Sequence, residues 1–186
     1  ENRKNPQEFL ENLSSEGILL LERIQSFPPD ANVQVSDLND EEALNFILPH
    51  TQKVDLNNDG LIAGPNGAKG FQFPPPNAPQ GVKDAWDDAT ATMSEKDVML
   101  LSGKFMSLLI SSNIHVDENG KVTFTEPDDP DWQNPFDDPG FSYQDSVKNF
   151  LEGNELSKNF NSPEIYERIK TLLTMLGDTF DEHKVA

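Results

Sequence analysis

Proline placement sets the tightest limit on how this chain can fold. Fourteen prolines interrupt 186 residues, and most fall in three clusters: "FPPD" at 27–30, "PPPNAP" at 74–79 and "PDDPDWQNPFDDPG" at 127–140. Proline lacks the N–H that a helix or an inner strand needs. Regular structure is therefore confined to the windows between clusters, and 127–141 is expected to be irregular. Those windows carry helical signals. Asn5, Pro6 and Glu8 open the first, with Phe9, Leu13, Leu20, Ile24 and Phe27 at helical spacing up to "FPPD". A second helix is expected from about Asp40, with Ala43, Leu44, Ile47 and Leu48 apolar and Pro49 ending it. A third covers about 80–92. Ser94 and Asp97 cap a fourth, whose stripe is Val98, Leu101, Phe105, Leu108 and Leu109. Ser142 and Asp145 cap a fifth. Ser162 and Pro163 open a sixth, with Ile165, Ile169, Leu172, Leu173, Leu176 and Phe180 on one face. Between the second and third helices, "LIAGPNGAKGFQF" reads as a hairpin around "PNG".

The expected fold is mainly α, about six helices with a short β-hairpin or two-stranded contact. One domain is expected over 1–186: an N-terminal helix and linker over 1–35, a paired-loop region over 36–126, and an acidic proline-rich loop with the last helices over 127–186. No apolar run is long enough to span a bilayer. The net charge of −19 repels phosphate backbones and anionic surfaces, which argues against a nucleic-acid partner. Solubility and adaptation to high salt are the plainer causes of such acidity. The absence of cysteine excludes disulfides, thiolate metal sites and cysteine nucleophiles. The three histidines follow no zinc spacing, and neither a nucleophile elbow nor a phosphate-binding glycine loop occurs. No enzymatic activity is expected. The chain starts at Glu1 with neither Met nor a leader peptide. The expectation leans towards an exported, processed chain, with the cytoplasm left open.

One stretch points to chemistry. In "DLNNDGLI", residues 55–62, side-chain oxygens alternate at Asp55, Asn57 and Asp59, Gly60 permits a sharp turn, and the Leu61 carbonyl follows. Calcium is a hard cation that takes six to eight oxygens. A chain with oxygens at alternate positions can wrap around it. The stretch resembles the first eight positions of the EF-hand loop and the shorter calcium loops of dockerin-type modules. The resemblance implies a calcium ion held by Asp55, Asn57, Asp59 and the Leu61 carbonyl, with Ile62 pointing into the core. It departs from the EF-hand at the twelfth position, where Asn66 stands in place of glutamate. The last ligand must then come from water or from elsewhere, Asp84, Asp87 and Asp88 being candidates.

A weaker copy follows. In "HVDENGKVTFTE", residues 115–126, Asp117, Asn119, Gly120, Val122 and Glu126 fall where the same family has its third, fifth, sixth, eighth and twelfth positions, and His115 stands where its first Asp would be. EF-hands come in pairs joined at their eighth positions, so the resemblance implies that Ile62 and Val122 meet across a small antiparallel contact, with Asp117, Asn119 and Glu126 as second-site candidates. Both stretches have a plainer reading as polar turns, since Asp-Gly and Asn-Gly are common hairpin tips. Three function classes stand open: a calcium-binding protein with a structural ion, an acidic helical interaction module that binds a protein partner, and, behind both, a hydrolase that uses carboxylates. Exposed Trp and Phe in the 127–141 segment would favour the second.

Overall fold

A computed structural model describes residues 4–28 and 30–185. Glu1 and Pro29, on which two of the expectations above fall, lie outside them. Seven α-helices and two two-stranded antiparallel sheets form among the described residues. Contacts divide the chain into two compact units, residues up to Asn77 and from Ala78 onward. The region 36–126, read above as one paired-loop region, is divided between them.

The first unit starts with α1 (Pro6–Glu11) and α2 (Ser15–Ile24). One helix was expected here, and local capping splits it. The Asn12 side chain and backbone N–H both donate to the Glu8 carbonyl, and Ser14 Oγ accepts the Gly17 N–H to start a new helix. The cost of the break is visible on α2, where Leu20 and Ile24 of the expected stripe are exposed. α3 (Asp40–Ile47) is nucleated by a reciprocal capping box: Asn39 Oδ1 accepts the Glu42 N–H while Glu42 Oε2 accepts the Asn39 N–H. β1 (Ile62–Gly64) and β2 (Ala68–Gly70) form the expected hairpin around Pro65–Gly67. Leu10, Val33, Leu38, Ala43 and Phe46 make the core of this unit, and Phe27 meets Phe46 edge-on at 5.9 Å.

The second unit holds α4 (Gln80–Thr90), α5 (Glu95–Ser112), a hairpin of β3 (Ile114–Val116) and β4 (Val122–Phe124), α6 (Tyr143–Leu156) and α7 (Pro163–Glu182). α7 packs against α4, α5 and α6, and buries Tyr166, Ile169, Leu172, Leu173, Leu176 and Phe180. Tyr166 replaces the expected Ile165, which is exposed. Leu101, Phe105 and Leu109 of α5 are buried as their spacing predicts. The proline-rich segment is irregular as expected and is pinned by rings. Phe136 packs on Phe141 and Tyr143, with centroids at 5.2 and 6.2 Å, and Tyr143 lies 6.4 Å from Phe105. No helix among the described residues is long and apolar enough to cross a membrane.

The strands do not pair as expected between Ile62 and Val122. Ile62 pairs with Gly70 and Val122 with Val116, so each strand finds its partner within its own hairpin. Closing a hairpin costs less chain entropy than joining strands 60 residues apart.

Candidate metal loop

Residues 55–61 fold into a turn lined with oxygens, and most of those oxygens first serve the loop's own backbone. Asp55 Oδ1 accepts the Asp59 N–H at 3.1 Å and Oδ2 the Gly60 N–H at 2.9 Å. Asn57 Oδ1 also accepts the Asp59 N–H, and Asp59 Oδ1 accepts the Leu61 N–H at 2.8 Å. Gly60 has φ +81°, which explains why glycine stands there, and Asn58 has φ +59°. The three predicted side chains are thus brought together on one turn. Asn57 Nδ2 and the Lys69 ammonium both donate to Asp59 Oδ2, at 3.0 and 3.2 Å.

The surrounding elements fix this turn through polar side chains, three of them, Glu41, Asn45 and Gln25, buried. Glu41, in the first turn of α3 and buried, accepts the Ala63 N–H on Oε1 and the Leu56 and Asn57 N–H groups on Oε2. Asn45, one helical turn later, donates from Nδ2 to the Val54 and Ala63 carbonyls and accepts the Val54 N–H. Asn77 donates to the Asp55 carbonyl and to Asn58 Oδ1, both at 2.8 Å. Lys53 donates to Gln25 Oε1 at 2.8 Å and to the Asn45 carbonyl, and Gln25 Nε2 donates to the Phe46 and Leu48 carbonyls at the end of α3. Sequence reading missed Glu41 and Asn45. Their one visible signal is that they lie four residues apart on the helix face that Leu44 and Leu48 also occupy.

Burial makes the loop electrostatically uneasy. Asp55 is 3% exposed. Burial pushes its carboxyl from the usual 3.8 up to about 6; the Gly60 and Asp59 N–H groups pull it back, while the carboxylates of Asp59 and Glu41 push it further up. Lys53 responds in the opposite sense, its amine lowered by burial to about 8. The side chains of Asp55, Asn57 and Asp59, together with the Leu61 carbonyl, are the oxygens from which a cation could be held. Among the described residues there is no group of three or more His, Asp or Glu that could hold a metal ion, and this loop offers two carboxylates. Asn66, at the family's twelfth position, donates its amide to the Ala31 carbonyl. Asp84 accepts from Gln80 and Asp88 bonds to His183, both within the second unit.

The second stretch has a different geometry. His115, at the expected first position, lies inside β3. Asp117 N–H donates to the Lys121 carbonyl, Gly120 N–H to the Asp117 carbonyl, and Asp117 Oδ1 accepts the Asn119 and Lys121 N–H groups. Gly120 takes φ +78°. This is a tight hairpin tip ending in a left-handed glycine. Asp117 and Asn119 sit at the tip, whereas Glu126 lies beyond the end of β4.

No protein-family model, curated protein or solved structure matches the chain.

Proposed function

We propose that the chain is a calcium-binding protein, without a catalytic role, whose loop 55–61 takes one structural ion. One observation carries this reading. A buried carboxylate, Asp55, feels the charges of Asp59 and Glu41, and its turn is already closed by hydrogen bonds from the loop N–H groups to the alternate side-chain oxygens. Such a site holds negative charge that water screens poorly, and a divalent cation would relieve it. Asp55, Asn57 and Asp59 would supply side-chain oxygens and Leu61 its carbonyl, with water completing the six to eight that calcium takes. Asp117, Asn119 and Glu126 are not part of this proposal, because all three are exposed and none is a buried charge like Asp55.

Binding to the native state alone stabilises it by about 2.7 kcal/mol at a hundredfold excess over Kd. The test is thermal unfolding in chelator, in calcium chloride, and in sodium chloride of matched ionic strength. Calcium should raise Tm by several degrees beyond the sodium control, and chelator should reverse the rise. A calcium response no larger than the sodium response would refute the proposal, because screening alone stabilises a chain of net charge −19.

A further inference from the structure

The β3–β4 hairpin carries an apolar face that is largely open to solvent. Ile114 pairs with Phe124 and Val116 with Val122. Opposed residues of an antiparallel pair point the same way and successive residues alternate, so these four side chains share one face. His115 and Thr123 take the other, where His115 Nε2 lies 2.9 Å from Thr125 Oγ1. The four apolar side chains are exposed by 41, 46, 64 and 63% for Ile114, Phe124, Val116 and Val122. Phe124 meets Trp132 edge-on at 6.0 Å. A lone two-stranded hairpin is marginal in water, and an open strand edge is a template for another strand. An exposed contiguous apolar face of this kind marks an interaction surface.

The charges around the face select what covers it. Between Ile114 and Trp132 there are six acidic residues, Asp117, Glu118, Glu126, Asp128, Asp129 and Asp131, against one lysine, Lys121, and all seven are exposed. We infer that this face docks an extended segment of another protein, one that alternates β-branched apolar residues and is flanked by lysines or arginines. The apolar side chains fill the hairpin face, the segment's backbone adds to its edge, and the basic flanks meet the acidic rim. A second copy of this chain is the poorer occupant, since it brings the same six carboxylates and a net charge of −19 to the contact.

Two synthetic peptides test this on the whole chain in chelator, so the outcome is independent of calcium: Val-Thr-Val-Thr-Val flanked by lysine pairs, and the same core flanked by glutamate pairs. Titration calorimetry should show binding of the lysine peptide, weakening as sodium chloride rises, and none of the glutamate peptide. Replacing Val116 and Val122 together by Ser should weaken binding at least tenfold. The milder Val122→Thr keeps the β-branched shape and should lose less, with Tm unchanged. Equal binding of both peptides, failure of the lysine peptide to bind, or full binding by the double variant would overturn the inference. A wild-type dimer in sedimentation that the double variant dissolves would also overturn it and assign the face to a second copy.

Discussion

Asp55 gives the candidate loop a pH dependence of its own. Burial and two neighbouring carboxylates raise its carboxyl to about 6 in the fold, against 3.8 ordinarily. A raised acid is one whose protonated form the fold prefers. Its contribution is complete below 3.8, falls as pH rises through 6, and is gone above that. The gap corresponds to about 3 kcal/mol, a large part of the stability of a small unit. Other carboxylates run the opposite way: Asp97, held by Arg168 and Ser94, and Asp145, held by Lys148, both lie below their usual range, so their contributions are lost as pH falls. The raw pH profile therefore mixes signs, and the difference between wild type and Asp55→Asn isolates the group. Urea unfolding in chelator at pH 4 and pH 7.5 should show Asp55→Asn less stable than wild type at pH 4, because the amide places a donor against the Gly60 or Asp59 N–H. By pH 7.5 that deficit should shrink by about 2.4 kcal/mol or reverse. Under the calcium proposal the wild-type protein should lose this dependence in calcium, because a bound ion would stabilise the carboxylate. A deficit equal at both pH values would mean that Asp55 titrates normally and that the loop carries no excess charge for a cation to relieve.

Three other substitutions probe the same parts. Lys69→Met removes the ammonium that meets Asp59 Oδ2 at 3.2 Å, so it should tighten calcium binding about fivefold by calorimetry while lowering the chelated Tm. Glu41→Gln turns a donor towards the Leu56 and Asn57 or Ala63 N–H groups; it should destabilise the first unit by about 1–3 kcal/mol, with faster amide exchange at those residues. Gly120→Ala forces a side chain into φ +78° at the second hairpin tip and should cost about 1–2 kcal/mol locally, read by amide exchange at Lys121, with calcium affinity unchanged.

The helix starts were legible because capping is local. Ser94, Ser142 and Ser162 each accept the N–H three residues on, at Asp97, Asp145 and Ile165, and the signal lies within four residues of sequence. The break at Asn12 to Ser14 was hidden, because the apolar spacing of Phe9, Leu13, Leu20 and Ile24 runs straight through it while two polar side chains decide otherwise. The oxygens of the first loop could be read from their alternation, but their supports could not. Glu41 reaches Ala63 across 22 residues and Gln25 reaches Leu48 across 23, contacts that exist only once the chain has folded. The pairing of the two loops failed for a related reason. Matching residues to loop positions says nothing about which strand lies beside which, and the nearer partner in each hairpin won.

The supports also bear on what an ion would do. Switching requires an element with two arrangements that the ligand tips from one to the other. Here Glu41 fixes three N–H groups of the loop and its strand, Asn45 ties both sides of the loop to α3, and Asn77 ties the Asp55 carbonyl and Asn58. Lys69 already lays a positive charge against Asp59. A loop held in this way has its turn built before any cation arrives, so under the calcium proposal the ion exchanges places with N–H donors and rearranges little backbone. Its free energy then appears as added stability of the first unit. The same supports temper affinity, because Asn57 Nδ2 and the Lys69 ammonium must leave Asp59 Oδ2 before a cation can take it. A structural ion filled at high calcium follows from this balance, and a sensor tuned to small calcium changes does not.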